Sequence, residues 1–263
     1  MRGRGDRHRF GSSDAHDSAG QPWAGRSFQP NARAGDDGTA DPALLAALAA
    51  FRAGESGQGA VVEALRGVRL LVPLLAEAGE VGLTPEGRVV DKTQELSLVT
   101  VRTPTGRTAI PAFTSVAAMQ AWNALARPVP VEAERVALAA GAEGSAVILD
   151  ATTPDEFGLQ RAALAALATG AEWLPPWLDE AVLGVFAAAL VEPELGALDV
   201  LPGDPEARLT GPEVTVRLAV RPGLDRAGLD GLLARIQQHW SAGAETIAAR
   251  LESYDVKLVA FDG

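Results

Sequence analysis

The chain has 263 residues, of which 47% are hydrophobic and 22% charged, and its formal net charge is −11. This length allows one large domain or two small ones, and the composition is ordinary for a globular protein. Residues 1–40 hold six arginines and five aspartates, so the acidic excess lies almost entirely in the rest of the chain. An acidic body without a basic stripe argues against binding to nucleic acid or to anionic lipid.

Residues 1–40 are predicted to form a disordered tail, because Gly, Arg, Asp and Ser dominate them without a periodic apolar pattern. Asp41-Pro42 then begins a helix, with Asp41 as the N-cap and Pro42 at N1. A second helix over 58–66 follows the turn "GESGQG". The run "RLLVPLLAE" predicts a buried strand, which Pro73 restricts to a sheet edge or a bulge.

The next segments predict a polar loop and a hairpin. The loop covers 79–92. The first hairpin strand runs from Leu96 to Val101, a Pro-Thr-Gly turn follows, and Thr108–Phe113 forms the second strand. The hairpin leads to a helix over 115–126.

The remainder of this first region predicts alternating extended and helical segments. An extended stretch precedes a helix over 131–141, and "SAVILD" at 145–150 is a short buried strand. "ATTPDEFGLQRAALAALATG" predicts one helix. Thr153 would be its N-cap and Glu156 its N3 residue, in a capping box, and Gly170 would end it.

Residues 172–180, "EWLPPWLDE", are predicted to be a linker, because Pro175-Pro176 is stiff and extended. We therefore divide the chain into a tail (1–40), a first region (41–171), this linker and a second region (181–263). The second region predicts, in order, a helix over 178–190, strands near 197–201 and over 214–220, an amphipathic helix through Trp240, a helix over 243–253 and a strand over 256–261. The predicted fold class is α+β: two small mixed α/β units, each a short sheet packed against helices.

Few residues are suited to chemistry. The chain has no cysteine, which excludes disulfides and thiolate catalysis. His239 is the one histidine beyond the first forty residues, and we interpret it as an ordinary helix residue. No apolar run approaches the about 20 residues that span a bilayer. No apolar segment follows the Arg-rich N-terminus, so we expect a cytoplasmic protein that does not enter a membrane.

Thr114 and Ser115 stand where the hairpin meets the next helix. A hydrolase nucleophile would need glycines on both sides for its strained turn. Here Phe113 precedes the pair and Val116 follows it, so we interpret the hydroxyls as a helix cap.

Three carboxylates, Asp150, Asp155 and Glu156, form an acidic cluster in the sequence. Such a cluster can do acid–base chemistry or hold a cation. We favour a structural role, with Asp155 and Glu156 near a helix N-terminus. We therefore predict no catalytic, cofactor-binding or metal-binding residues.

Tryptophan and proline provide the candidate interaction surface: Trp122, Trp173, Pro175, Pro176 and Trp177. Tryptophan is frequent among binding hot spots. A Trp pair around a stiff Pro segment forms either interdomain packing or an exposed docking surface.

The segments "VRLLVPLLAE", "GRTAIPAFTS" with "MQAW" one helical turn on, "SAVILDATTP" and "LAALATGAEWLPP" resemble the N-terminal domain of the SseB family, and its actinobacterial branch in particular. "VTVRLAVRPGLD" and the helix after it resemble the C-terminal domain of that family. The resemblance covers roughly 28–263. It implies the two-domain fold but no reaction, because the family has no established one.

We therefore expect a protein that does no chemistry and acts through contact with another protein. Two alternatives stay open. One is a small-ligand-binding or regulatory protein that uses a cleft between the two regions, and the other is an enzyme that works with carboxylates alone.

Overall fold

A computed structural model of the chain describes residues 36–75, 81–83, 89–91 and 99–261. Most of the predicted tail lies outside these ranges. From Asp37 onward the residues form one compact unit. Its fold class is α+β, as predicted. Within the described ranges, none of the helices has the length and the hydropathy that crossing a membrane requires.

Short helices are distributed along the chain. Two single-turn 3-10 helices cover Pro176–Leu178 and Ala188–Val191. The α-helices are α1 (Pro42–Arg52), α2 (Gln58–Ala64), α3 (Val116–Trp122), α4 (Ala133–Ala142), α5 (Arg161–Thr169), α6 (Glu180–Ala187), α7 (Arg226–Ser241) and α8 (Ala244–Arg250).

The strands are β1 (Arg69–Leu74), β2 (Val81–Leu83), β3 (Val89–Asp91), β4 (Val101–Arg102), β5 (Thr108–Ala112), β6 (Arg127–Glu132), β7 (Ala146–Leu149), β8 (Phe157–Leu159), β9 (Leu195–Pro202), β10 (Val214–Val220) and β11 (Tyr254–Ala260). In the first region one sheet has the order β4-β5-β7-β8, and β1 pairs with β6 in a separate ladder. β5 and β7 run parallel, and the other pairs of the first region are antiparallel.

Pro73 occupies an edge position in β1, which confirms one of the two predicted options. The N–H of Leu71 bonds to the carbonyl of Phe113 and not to β6. Pro73 follows two residues later, so its nitrogen points to the same side, away from β6. The missing N–H therefore costs the β1–β6 ladder no hydrogen bond.

The predicted polar loop over 79–92 is wrong in part, because β2 and β3 form a short antiparallel hairpin there. Valine and leucine favour strands, and the sequence between them carries Pro85 and Gly87, which favour a turn. In the following hairpin, β4 is shorter than predicted. Val99 lies outside the strand, and Leu96 lies outside the described residues.

The helix predicted over 115–126 ends early. α3 stops at Trp122 because Asn123 adopts an extended conformation, and the Asn123 side chain accepts a bond from the N–H of Leu125. Leu125 is consequently 85% exposed. The extended stretch after it is β6, so α4 begins at Ala133 and not at 131.

The single helix predicted from Thr153 is wrong. Thr152 takes a positive φ of 69°, and the Glu156 side chain accepts from the Thr152 N–H instead of closing a capping box. β8 then pairs with β7, and α5 begins only after Gln160. The predicted helix end at Gly170 is confirmed, since Gly170 is the C-cap of α5 and has φ 72°.

The predicted linker contains a helical turn. Pro175 is extended, but Pro176–Leu178 forms a 3-10 turn closed by a bond of 2.8 Å from the Leu178 N–H to the Pro175 carbonyl. α6 follows, capped by Asp179. The second region contains a three-stranded sheet with the order β11-β10-β9, in which β10 and β11 run parallel.

Two separate apolar clusters form the main cores. One joins α1, α2, α4, α5 and the first-region strands, and the other joins α6, α7 and the second sheet. The loop between β9 and β10 connects them. Its Ala207 belongs to the first cluster, and its Leu209 packs with Ala109, Ala146 and Ile148 of the first region.

Candidate functional site

A cleft of about 910 Å³ lies beside the predicted linker. We call it the Trp-Pro cleft. Three parts of the chain line it: the end of α1 with α2, the segment around the two tryptophans, and the end of β9 with the loop that follows. The lining residues are Phe51, Gly57, Gln58, Gly59, Ala60, Val62, Glu63, Arg66, Gly170, Glu172, Trp173, Leu174, Pro175, Trp177, Leu178, Pro202 and Pro205.

The start of α2 forms a wall with few side chains. Gly57 is its N-cap and supplies no side-chain hydrogen bond. A Cβ at Gly59 would lie 3.9 Å from Pro175 Cδ, so the helix backbone stands close to the proline ring. The Gln58 amide reaches the carbonyl of Asp204, at 3.4 Å, which connects the first wall to the third.

Trp173 is the principal aromatic residue of the cleft. Its ring packs against the first apolar cluster. Its Nε1 atom is buried and has no hydrogen-bond partner among the described residues. Buried indole N–H groups usually have an acceptor, and leaving one unsatisfied costs about 1–3 kcal/mol. Trp173 therefore combines an apolar ring in the lining of the cleft with one buried, unsatisfied donor.

Trp177 contacts the second apolar cluster, so the two tryptophans rest on different cores. Beside them, Leu174 is 52% exposed and Leu178 59% exposed. Pro175 and Pro176 are both buried, and of the two Pro175 lines the cleft. The two tryptophans and Pro175 thus form an apolar surface bordered by exposed leucines.

Acidic groups lie on the rim. Glu63 and Glu172 line the cleft together with one arginine, Arg66. That guanidinium is already engaged, because its Nε lies 2.6 Å from Glu63 Oε2 and its Nη2 donates to the Ala171 carbonyl at 2.5 Å. The lining therefore suits an apolar or basic ligand better than a phosphate.

Thr114 and Ser115 have separate structural tasks. Ser115 caps α3 by accepting a bond of 3.1 Å from the Ala118 N–H, as the sequence predicts. Thr114 is buried and donates to Asp150 twice, through its N–H at 2.8 Å and its hydroxyl at 2.7 Å. Burial raises the pKa of Asp150, and the two Thr114 bonds oppose that shift. The carboxylate thus joins the end of β7 to the end of β5.

Residues 44–166 match the family model of the SseB protein N-terminal domain. This stretch, slightly under half of the chain, is therefore similar to an SseB N-terminal domain. No curated protein and no solved structure matched the chain. The matched residues contain the α2 wall of the Trp-Pro cleft, whereas Trp173 and Trp177 follow the matched range. The Thr114–Asp150 contact lies wholly inside the matched range.

The three carboxylates of the acidic cluster in the first region do not form one site. Asp150 points to Thr114, while Glu156 binds the Thr152 N–H and Asp155 is exposed. In the described part of the chain, no group of three or more Asp, Glu or His side chains is placed to hold a metal ion. His239 of α7 lies 2.8 Å from Glu192, and with Arg235 it lowers the pKa of that carboxyl.

Trp122 does not belong to the Trp-Pro cleft. It packs inside the first region against Phe113, with ring centroids 5.4 Å apart. The structure therefore separates the predicted interaction residues: Trp173, Pro175 and Trp177 line one cleft, whereas Trp122 and Pro176 serve packing.

Sequence reasoning missed a charged cluster where the first region meets the second region. Glu213 is buried and accepts from the Glu252 N–H at 2.7 Å. Arg107 of the first region pairs with Glu252 at 2.6 Å, and the Arg161 N–H donates to the same carboxylate. Burial raises the pKa of Glu213 to about 7. Nothing in the local sequence marks Glu213, because the contact joins distant segments.

Proposed function

We propose that this protein does no chemistry and acts by binding an extended segment of a partner protein in the Trp-Pro cleft. The observation that carries the proposal is the pairing of Trp173 and Trp177 around Pro175 in the lining of the cleft. The buried indole N–H of Trp173 has no acceptor among the described residues, and a carbonyl of the partner would satisfy it if binding uncovers it. Grooves built from aromatic rings typically bind proline-rich segments in the polyproline II conformation. In such a segment the backbone carbonyls are free to accept.

The charged residues at the rim of the cleft indicate the charge of the partner segment. Glu63 is paired with Arg66, so Glu172 supplies the net negative charge of the lining. A segment with proline and small apolar side chains, flanked by a basic residue, complements this lining in shape and charge. Its ordering on binding costs little, because polyproline II is already populated in the free chain.

A peptide-display selection on the full chain tests this proposal. We expect selected peptides to contain proline with a neighbouring Lys or Arg, and to lose binding in the Trp173→Ala and Trp177→Ala variants. Trp173→Phe keeps a ring and removes the N–H, so binding should weaken about two- to ten-fold. Leu138→Ala is the matched control, since Leu138 is an exposed apolar residue of α4 outside the lining.

Two results would contradict the proposal: a selection that enriches no peptide, and enriched peptides that bind the Trp173→Ala and Trp177→Ala variants as tightly as the parent. Each variant is first compared with the parent by circular dichroism and thermal unfolding, so that loss of binding is not confused with loss of fold.

A small ligand is the second candidate, and the volume of the cleft favours it. A cleft of about 910 Å³ is within the range of small-molecule sites, about 300–1,000 Å³. Its walls come from both regions of the chain, so a bound molecule would bridge them. A thermal-shift screen with metabolites tests this alternative, and displacement of a bound peptide by the same compound would place both at one site.

A further inference from the structure

β11 is an edge strand with an apolar face that the helices leave partly open. Among the described strands it pairs with β10 alone. Tyr254, Val256 and Leu258 point to the helix side of the sheet, in register with the buried Val214, Val216 and Leu218 of β10. Yet these three β11 residues are each about 40% exposed. These three side chains therefore extend the apolar face of the sheet from the buried residues of β10 to the exposed edge.

The backbone of β11 shows which residues face outward. The Ser253 carbonyl accepts from Val214, and the Phe261 N–H donates to Val220, so odd-numbered residues of β11 bond to β10. In a parallel ladder the alternate residues point to the other side. The N–H and carbonyl groups of Tyr254, Val256 and Leu258 consequently face the open edge.

The charged residues of β11 are incompletely paired. Lys257 stands beside Arg217 of β10, a neighbour of the same sign, and Arg217 already binds Asp199 at 2.7 Å. Asp255 Oδ1 is buried and has no hydrogen-bond partner among the described residues. Within the described ranges, no opposite charge pairs with either side chain on the open side of the strand.

We propose that β11 pairs with β11 of a second copy of this chain, antiparallel and centred on Val256. In this register Val256 faces its own copy and Tyr254 faces Leu258 of the other chain, with their outward backbone groups bonded to each other. Asp255 then faces Lys257 of the other chain. That position is a non-hydrogen-bonded pair, in which side chains approach most closely.

The charges of Asp255 and Lys257 favour this register over the two registers shifted by one residue. A shift that centres the pair on Asp255 places two aspartates face to face, and one centred on Lys257 opposes two lysines. Only the Val256-centred pairing of these three gives each side chain an opposite charge, twice by symmetry. It supplies the missing cation to Asp255 and the missing anion to Lys257.

The joined sheet would have six strands, and its apolar row would be continuous across the two-fold axis. Exposed edge strands invite such pairing unless charge or proline prevents it. β11 contains no proline, and its one lysine is complemented by the partner chain in this register.

A charge-swap series measured by sedimentation equilibrium tests the proposal. The parent chain should dimerise. Asp255→Lys alone and Lys257→Asp alone place like charges face to face, and each should weaken the dimer about ten-fold or more. The double swap exchanges the two charges and should restore the dimer. Val256→Pro removes an outward N–H that the β10 ladder does not use, so it should give a folded monomer.

Cross-linking provides a second measurement, because the chain has no cysteine of its own. Val256→Cys opposes its own copy at about 5.5 Å between Cα atoms, within disulfide range. It should form a disulfide-linked dimer on oxidation. Ala260→Cys is the matched control, since antiparallel pairing keeps the two copies of residue 260 far apart.

A parent chain that stays monomeric from micromolar to millimolar concentration overturns the proposal. So does a dimer that both single charge variants leave unchanged, or one that the double swap does not restore. Equal cross-linking at 256 and 260 would exclude this register.

Discussion

Leu209 lies directly over Gly158: a Cβ at Gly158 would come within 2.8 Å of Leu209 Cδ2. The Gly158 N–H also donates to the Ala207 carbonyl of the same loop at 2.5 Å. The loop between β9 and β10 is thus held against β8 by both packing and a backbone hydrogen bond.

Gly158→Ala should therefore destabilise the protein, because its methyl group overlaps the Leu209 side chain. We expect the free energy of unfolding to fall by about 1–3 kcal/mol, the usual cost of overpacking. Urea titration measures it. Leu209→Ala should cost a similar amount by itself, and the double variant should cost less than the sum of the two. Strictly additive effects would show that the two residues do not interact.

Glu213 should make stability fall as the pH rises. Its folded pKa of about 7 exceeds its ordinary value of 4.5, so between these values the folded state binds more protons than the unfolded state. Protonated Glu213 thus contributes to the free energy of unfolding at low pH. This contribution falls by about 3 kcal/mol at most as the pH rises to 7. Glu252 favours the shift through its charge, and Arg107 and Arg161 oppose it.

The Glu213→Gln variant isolates this contribution. The difference in unfolding free energy between the parent and the variant should change across pH 4.5 to 7 and level off above. The exposed Glu245→Gln substitution on α8 is the control. A parent–variant difference that does not vary with pH would contradict the assignment.

Asp150 should tolerate asparagine but not alanine. Asp150→Ala leaves the Thr114 N–H and hydroxyl without their acceptor and puts a residue with poor left-handed propensity at φ 43°. We expect a loss of about 2–4 kcal/mol. Asparagine keeps one oxygen acceptor and accepts positive φ, so Asp150→Asn should cost less than about 1 kcal/mol. Thermal unfolding compares them, and equal losses would exclude the hydrogen bonds as the cause.

Ser115 should contribute no more than a helix cap. Ser115→Ala removes the bond to the Ala118 N–H and should lower the unfolding free energy by about 1 kcal/mol at most. Thr114→Val should cost more, since it removes the buried donor to Asp150. A folded Ser115→Ala protein that loses a measurable function outright would reverse this interpretation.

Local signals in the sequence were sufficient where a residue acts on its neighbours. Asp41 caps α1, Ser115 caps α3 and Gly170 ends α5, because each requires only side-chain or backbone chemistry within a few residues. Local signals misled at 150–160. Thr153 and Glu156 have the spacing of a capping box, but pairing of β8 with β7 outweighs the local preference for a helix.

The candidate site was predictable only in part. Trp173, Pro175 and Trp177 stood out by composition and do line one cleft. The α2 wall and Pro202 could not be assigned to it, because folding brings them from distant segments. Glu213 and Asp255 gave no local signal for the same reason, since a missing or distant partner is a property of the tertiary structure.

The parallel pairing of β10 with β11 also orders events during synthesis. β10 can pair with β9 as soon as it emerges, but Val216 meets Val256 only after α7 and α8 have been made. Until then the central strand of the mature sheet is an edge, with its even-numbered backbone groups open to other chains. The second sheet is therefore complete only after the α7–α8 connection and β11 have been synthesised. A nascent chain is most prone to misassociation before that point.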